Sequence, residues 1–270
     1  MKIELLLVQL EAIAGDIEKN ILKVRNLLES SGYVSADIIV LPELWTCGWD
    51  CVNFDKYAQD MNTSRTLEFL KEIAIKYNSN VIGGSSVLHK KGEKNRNTSI
   101  ILDRKGNFID SYDKFHLFSH RGQSEGSFLQ AGDGCVVVNT DVAKVGVSIC
   151  YDIRFPEMFR LYMMNGADII VNMAAWPKVV WNEYEVLAKA RAIENQIYFV
   201  SSCLTGKINE DFEFSGNSSV IDYRGNIIKT VAMEEKAFKV IIDLDEMHQF
   251  REQIPMLSDI KSNYQILEKK

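Results

Sequence analysis

What the sequence lacks already narrows what it can be. No stripe of lysine and arginine runs beyond a few residues, and 37 acidic side chains outnumber 31 basic ones, for a net charge of −6. That balance argues against a nucleic-acid partner, which needs a basic face. The Lys90-Lys91 pair and Lys269-Lys270 read as solvated surface. No apolar stretch approaches the ~20 residues that span a bilayer, so no membrane partner is expected. The opening Met1-Lys2-Ile3-Glu4-Leu5 is interrupted by Glu4 too early for a signal peptide. Cysteine occurs only five times, an odd number at irregular spacing, which points to reduced thiols in a cytoplasmic protein. Proline occurs four times and no Pro/Gly/Ser-rich linker divides the chain, so residues 1–270 are expected to form one domain. Gly-rich phosphate loops and dinucleotide fingerprints are missing, and no cofactor is expected.

What is present is an ordinary globular composition, 46% hydrophobic and 25% charged, in an α/β pattern. Short apolar runs at Ile3 to Leu10, Ile38 to Leu41, around Val81 and Ile100, and at Val136, Val145, Ile169 and Tyr198 read as strands. Ile17, Ile21, Val24 and Leu28 recur at helical spacing, as do Leu67, Leu70, Ala74 and Tyr77. Pro156 suits the first position of another helix, and a further one covers about Asn182 to Asn195. Cys135 and Cys203 sit in apolar strands and read as core.

An internal repeat organises these elements. Ala36-Asp37-Ile38-Ile39-Val40 recurs unchanged 131 residues later as Ala167-Asp168-Ile169-Ile170-Val171, and each copy leads into a loop with a tryptophan, Trp45 or Trp176. Asn97-Thr98-Ser99-Ile100 is echoed 120 residues later by Asn217-Ser218-Ser219-Val220, and Arg104-Lys105-Gly106-Asn107 after 119 by Tyr223-Arg224-Gly225-Asn226. Both echoes read as strand, Gly-Asn turn, strand. Coincidence is the competing account; the alternative is two similar halves, sheet against sheet with helices outside.

Three segments carry chemistry. Cys150 ends the strand Val145 to Ile149 and precedes Tyr151-Asp152-Ile153-Arg154-Phe155-Pro156-Glu157, a place where a nucleophile can project into a cleft beside free N–H groups. A buried structural cysteine is the commoner fate of such a residue. Glu43 follows Val40-Leu41-Pro42 at another strand end, and could equally be a helix-start residue. Lys114, in Tyr112-Asp113-Lys114-Phe115-His116-Leu117-Phe118, could be merely solvated. Together they supply what thiol acyl transfer needs: a nucleophile, a base, and a cation where charge develops.

The segments around Glu43, Lys114 and Cys150 resemble, in order, the glutamate, lysine and cysteine blocks of the nitrilase superfamily, the carbon–nitrogen hydrolases. Similar sequence runs from Ile3 through Ile254. The resemblance implies a four-layer α-β-β-α sandwich, usually a homodimer or higher oligomer. It implies that Cys150 attacks an amide carbon and forms a thioester, that Glu43 shuttles the proton, and that Lys114 and the Tyr151 N–H hold the oxyanion. Glu125, six residues before Ala131-Gly132-Asp133, matches the place of an assisting second glutamate.

Cys47-x3-Cys51 and His116-x3-His120 have the spacings of a zinc finger's ligand pairs. The 64 residues between them far exceed a finger's gap, so no metal is expected, and His116 falls to the lysine block as an orienting residue. Arg154 is expected to pair with Glu157 and steady the turn after Cys150; binding a substrate carboxylate is the alternative.

Asn172-Met173-Ala174-Ala175-Trp176-Pro177 is expected to line the pocket, which makes Asn172, Trp176 and Tyr151 the candidate substrate-binding residues; Trp176 could equally be packing. This segment, Arg191-Ala192-Ile193-Glu194-Asn195-Gln196 and Gln253-Ile254-Pro255 resemble ω-amidase-type members, which cleave the terminal amide of α-ketoglutaramate or α-ketosuccinamate. Ser258 to Tyr264 lacks the Arg-rich run of that subgroup. The substrate is therefore expected to be a small amide, with water as second reactant. A carbamoyl amine, a deaminated thiol compound, a nitrile, or a silent binding protein are the alternatives.

Overall fold

The computed structural model describes residues 1–90, 92–120, 123–208, 212–261 and 263–266. Lys91, Lys269 and Lys270, expected as solvated surface, lie outside them.

The first half supplies strands β1 (Lys2–Gln9), β2 (Ile38–Val40), β3 (Asn80–Ile82), β4 (Arg96–Leu102) and β5 (Phe108–Asp113). The second supplies β6 (Val136–Asn139), β7 (Lys144–Ile149), β8 (Ile169–Ala174), β9 (Tyr198–Cys203), β10 (Ser219–Ile221) and β11 (Ile227–Thr230), after which β12 (Lys236–Asp243) returns to the first sheet. Side by side, the strands run β12-β1-β2-β3-β4-β5 in one sheet and β6-β7-β8-β9-β10-β11 in the other. The pairings also match in sense. In each sheet the second, third and fourth strands of this order are parallel, and the outer pairings are antiparallel. The first sheet is extended to eight strands by Ser86–His89 and Gln59–Asp60.

The repeat read in the sequence is thus structural. Its two identical words form β2 and β8, each third from the same edge of its sheet. The aspartate ahead of each strand accepts a backbone N–H from the neighbouring strand: Asp37 from Glu4 at 2.8 Å, and Asp168 from Lys144 at 3.1 Å. The two Gly-Asn turns are also alike. Asp103 Oδ1 accepts from Lys105 and Asn107, Asp222 Oδ1 from Arg224 and Asn226, and Gly106 and Gly225 take the left-handed φ of +76° and +83° that glycine adopts without penalty.

Alternation along the strands sets the layers. Leu5, Leu7, Ile38 and Val40 face Val145, Val147, Ile149, Ile169 and Val171 in one apolar core. The opposite face of the first sheet, with Leu6, Val8, Ile39 and Leu41, is covered by α1 (Ile17–Ser30) and α2 (Arg65–Lys76). The outer face of the second is covered by α3 (Pro156–Met164) and α4 (Trp181–Asn195), where Gly146 lets the Tyr162 ring come close: an added Cβ would stand 2.7 Å from Tyr162 Cγ. The order is helices, sheet, sheet, helices, as the four-layer expectation required. A last helix, α5 (Leu244–Gln253), follows β12. One local expectation fails: Cys135 is exposed rather than core, because β6 begins only at Val136 and the residue falls in the turn before it.

Candidate active site

Cys150, Glu43, Lys114 and Glu125 come together at the interface of the two halves, and each is buried. Parallel strands explain the first two, since β2 and β7 both end with their carboxyl termini at this edge. Cys150 has φ +48° and begins a tight five-residue 3-10 turn, Cys150–Arg154, before α3 starts at Pro156. A non-glycine residue in the left-handed region costs on the order of 1–3 kcal/mol and is tolerated where the surroundings enforce it. The sharp strand-to-turn geometry is that of a nucleophile elbow.

Glu43 is held by a second strained loop. Leu44, next to it, has φ +47°, and the Leu44 N–H donates to Ser85 Oγ at 2.9 Å. The Pro42 carbonyl accepts from the Ser85 N–H at 3.0 Å, so the Glu43 loop is stitched to the segment after β3. Lys114 extends β5 by one residue, its N–H donating to the Asn97 carbonyl of β4 at 2.8 Å. Glu125 opens a one-turn helix, Glu125–Phe128, and closes its own loop. The Glu125 N–H donates to the Phe118 carbonyl at 2.9 Å, and Glu125 Oε2 accepts from the Phe118 N–H at 2.7 Å.

Lys114 Nζ donates to Glu43 Oε1 at 2.8 Å and to Glu125 Oε2 at 2.7 Å, with all three side chains fully buried. Burial alone would lower the lysine, but the two carboxylates outweigh it and hold the ammonium well above its usual range. Burial raises Glu125, with Lys114 pulling it down and Glu43 pushing it up. Glu43 Oε2 accepts the Ala175 N–H at 2.8 Å. The Cys150 sulfur lies beside Glu43 and the same Ala175 N–H, close enough for both to act on its titration. Burial first, and the Glu43 charge second, push its thiol well above the usual range, while Lys114 acts the other way. The resting nucleophile is therefore a thiol beside a base.

Asn97 belongs to this cluster too, although in the sequence it stands out only as part of the repeat. Its Nδ2 donates to Glu43 Oε1 at 3.1 Å and to Glu125 Oε1 at 3.3 Å, so one amide spans both carboxylates. Its only sequence signal was its place in the repeated word; strand pairing sets it directly opposite Lys114, one step beyond the Thr98–Asp113 pair.

A cavity of about 520 Å³ opens above Cys150, walled by Trp49, Phe118, Tyr151, Ala175, Trp176, Pro177, Val180 and Phe212, with Arg154, Glu183 and His120 as its polar members. Tyr151 is on the wall, its ring edge-on to Phe118 and Phe155. Trp176 both lines the cavity and packs: its Nε1 donates to the Val180 carbonyl at 3.0 Å, and its ring meets Tyr184. Trp49 also lies 5.5 Å from Lys114 Nζ, ring centroid to cation. Asn172 is not on the wall. It is buried behind it, donating to Ser148 Oγ at 2.9 Å and accepting from the Tyr184 hydroxyl at 2.7 Å, because β8 turns that side chain toward α4. Arg154 does not pair with Glu157; its Nη2 donates to Glu183 Oε2 at 2.6 Å across to α4.

Among the described residues no group of three or more His, Cys, Asp or Glu side chains is arranged to hold a metal. The finger-like spacings are used otherwise. His116 Nδ1 bonds Asp152 at 2.8 Å and its ring stacks on Phe155, while Cys47 and Cys51 are buried beside Leu44 and Phe54 with thiols pushed up to about 12 by burial.

A buried thiol beside a carboxylate and an ammonium is the set of groups that can open an amide. The family model described as carbon-nitrogen hydrolase matches residues 6–252. The 2-oxoglutaramate amidase of Bacillus subtilis is 36% identical over 97% of this chain and 99% of its own. Omega-amidase NIT3 of Saccharomyces cerevisiae is 30% identical over 94% and 92% of the two chains. The crystal structure of yeast Nit3, a member of branch 10 of the nitrilase superfamily, superposes with a TM-score of 0.86 at 29% identity, covering 94% of this chain and 95% of that one. A carbon-nitrogen hydrolase superfamily protein from Xanthomonas campestris, with an arsenic adduct in its active site, gives a TM-score of 0.88 at 25% identity over 98% and 99% of the chains. The chain belongs to the carbon-nitrogen hydrolase family, and it is an amidase of that family.

Proposed function

We propose that the enzyme is an ω-amidase, releasing ammonia from α-ketoglutaramate or a similar small ω-amide through a thioester on Cys150. The observation that carries this reading is the closed Glu43–Lys114–Glu125 cluster set against the Cys150 thiol at the cavity floor. The amidase names of the relatives support the substrate class.

In this mechanism Cys150 Sγ attacks the amide carbon as its proton passes to Glu43. Lys114, with two of its three N–H donors on the glutamates, turns the third toward the developing oxyanion, joined by the Tyr151 N–H. Glu43 protonates the departing nitrogen, and ammonia leaves. Water then attacks the thioester while Glu43 takes its proton; collapse expels the thiolate, which recovers that proton, and the acid departs. Glu125 and Asn97 keep Lys114 and Glu43 in register. The cysteine thus avoids having to exist as a free thiolate in a dry pocket.

Residues 1–270 are taken as one domain, because one apolar core includes strands of both halves. Exposed Leu161 and Met164 on α3, and Val186 and Ile193 on α4, support a homodimer formed through the outer helices. The free thiols of all five cysteines support a cytoplasmic setting. No helix among the described residues is long and apolar enough to cross a membrane.

The test is ammonia release from α-ketoglutaramate beside a panel of other amides, with mass spectrometric trapping of an acyl adduct on Cys150 and Cys150→Ala as control. Turnover of other amides with none of α-ketoglutaramate would remove the ω-amidase reading. An adduct on another residue would remove Cys150. Sedimentation and cell fractionation test the dimer and the compartment.

A further inference from the structure

The cavity wall carries one ion pair that the reaction does not use. Arg154 and Glu183 meet at 2.6 Å, and both face the space above Cys150. The Arg154 guanidinium also lies 4.9 Å from the Trp176 ring centroid and 5.9 Å from that of Tyr151. Aromatic faces therefore hold it in place whether or not the carboxylate stays. The partners stand on separate elements: Arg154 ends the turn that starts at Cys150, and Glu183 is in the first turn of α4. Their side chains are 35% and 44% exposed, so water screens the pair and can take its place.

A substrate bearing a carboxylate thus meets an otherwise largely apolar wall on which the guanidinium is already occupied. We propose that Glu183 is a specificity-determining residue: a resident carboxylate that the carboxylate of an incoming amide must displace from Arg154. This rests on the reading that the substrate carries such a group. Displacement breaks the ion pair and leaves two carboxylates near one guanidinium, so Glu183 handicaps anionic amides against neutral ones of the same shape. Arg154 stays pre-placed for the anion, and Glu183 sets how much of its attraction is realised.

A pair of probes with the same carbon chain reads this directly: glutaramate, with a terminal carboxylate, and valeramide, with a methyl in its place. Glu183→Gln is expected to raise the glutaramate-to-valeramide ratio of kcat/KM by about two- to fivefold, the range an exposed ion pair supports, chiefly through a lower KM for glutaramate. Glu183→Lys, placing a second cation there, is expected to raise it further. If either probe is not turned over, the ratio is read from competitive inhibition constants against a hydrolysed amide. An unchanged ratio in both variants would overturn the proposal, and a lower one would mean that Glu183 assists the anion instead. Failure of the wild type to hydrolyse α-ketoglutaramate would sink the ω-amidase reading alone, since these probes ask only how a carboxylate on an acyl chain is received.

Discussion

The hydroxyl of Tyr112 donates to Asp152 at 2.6 Å, joining two fully buried side chains that lie forty residues apart. Asp152 also accepts the His116 N–H at 2.9 Å and the Ile149 N–H at 2.8 Å, and its Oδ1 meets His116 Nδ1 at 2.8 Å. One carboxylate therefore clamps the segment of Lys114 to the elbow of Cys150. Asp152→Asn puts an amide N–H₂ against donors and leaves at least one unpaired, at ~1–3 kcal/mol. Thermal unfolding should show that loss, and kcat should fall more than KM rises. A variant with wild-type melting and turnover would refute the clamp.

Lys114→Met strands Glu43 and Glu125 as two buried carboxylates without their cation. Breaking such a pair costs about 3–5 kcal/mol, and activity should vanish. Adding Glu125→Gln should restore part of the stability, since one charge then remains. The pH dependence has a definite sign. The folded ammonium is held above its unfolded value of ~10.4, so its contribution is fully present below that pH and is lost only as pH rises through the higher folded value. Denaturant unfolding of the wild type should therefore show no loss of this ammonium's contribution from neutral pH to about pH 10.

With its thiol raised by burial and by Glu43, Cys150 should not behave as a resting thiolate. In a Cys135→Ser background, which removes the exposed thiol, alkylation of Cys150 by iodoacetamide should climb about tenfold per pH unit without levelling below ~pH 9. A plateau near neutrality, read by mass spectrometry, would indicate a preformed thiolate and would dismiss Glu43 as its proton acceptor.

Gly84 is where the Glu43 loop depends on a missing side chain. It has φ +64°, and an added Cβ would run into the Pro42 carbonyl oxygen and stand 2.6 Å from Trp45 Cδ1. Gly84→Ala must push that loop aside, and displacements of ~1 Å in a catalytic group can cost about a hundredfold. Gly92, with φ +81° and nothing near its Cβ, is the control: Gly92→Ala carries only the backbone penalty. Equal kcat in the two variants would contradict this account of Glu43.

Local patterns were readable wherever the cause is local. The α1 stripe Ile21, Val24 and Leu28 is buried as its spacing demanded, and Pro156 does open α3. The Gly-Asn turns and the repeated strands also stand where the sequence put them. Asn172, Cys135 and the partner of Arg154 were misread for three reasons: strand residues alternate faces, strand ends move by a residue, and a long arginine reaches across elements. None of that is encoded in neighbouring letters.

By itself the sequence determined two similar α/β halves, their strands, and a thiol, two carboxylates and a lysine near strand ends. Only the tertiary structure decided that these make one site rather than two. By strand register Cys150 matches Leu10 of the first half, and by the repeat Glu43 matches Ala174 of the second, so neither half holds both nucleophile and base. Packing the sheets face to face sets the elbow of one half beside the glutamate loop of the other. Burial between them then makes the proton positions and the ion pairs strong enough to matter.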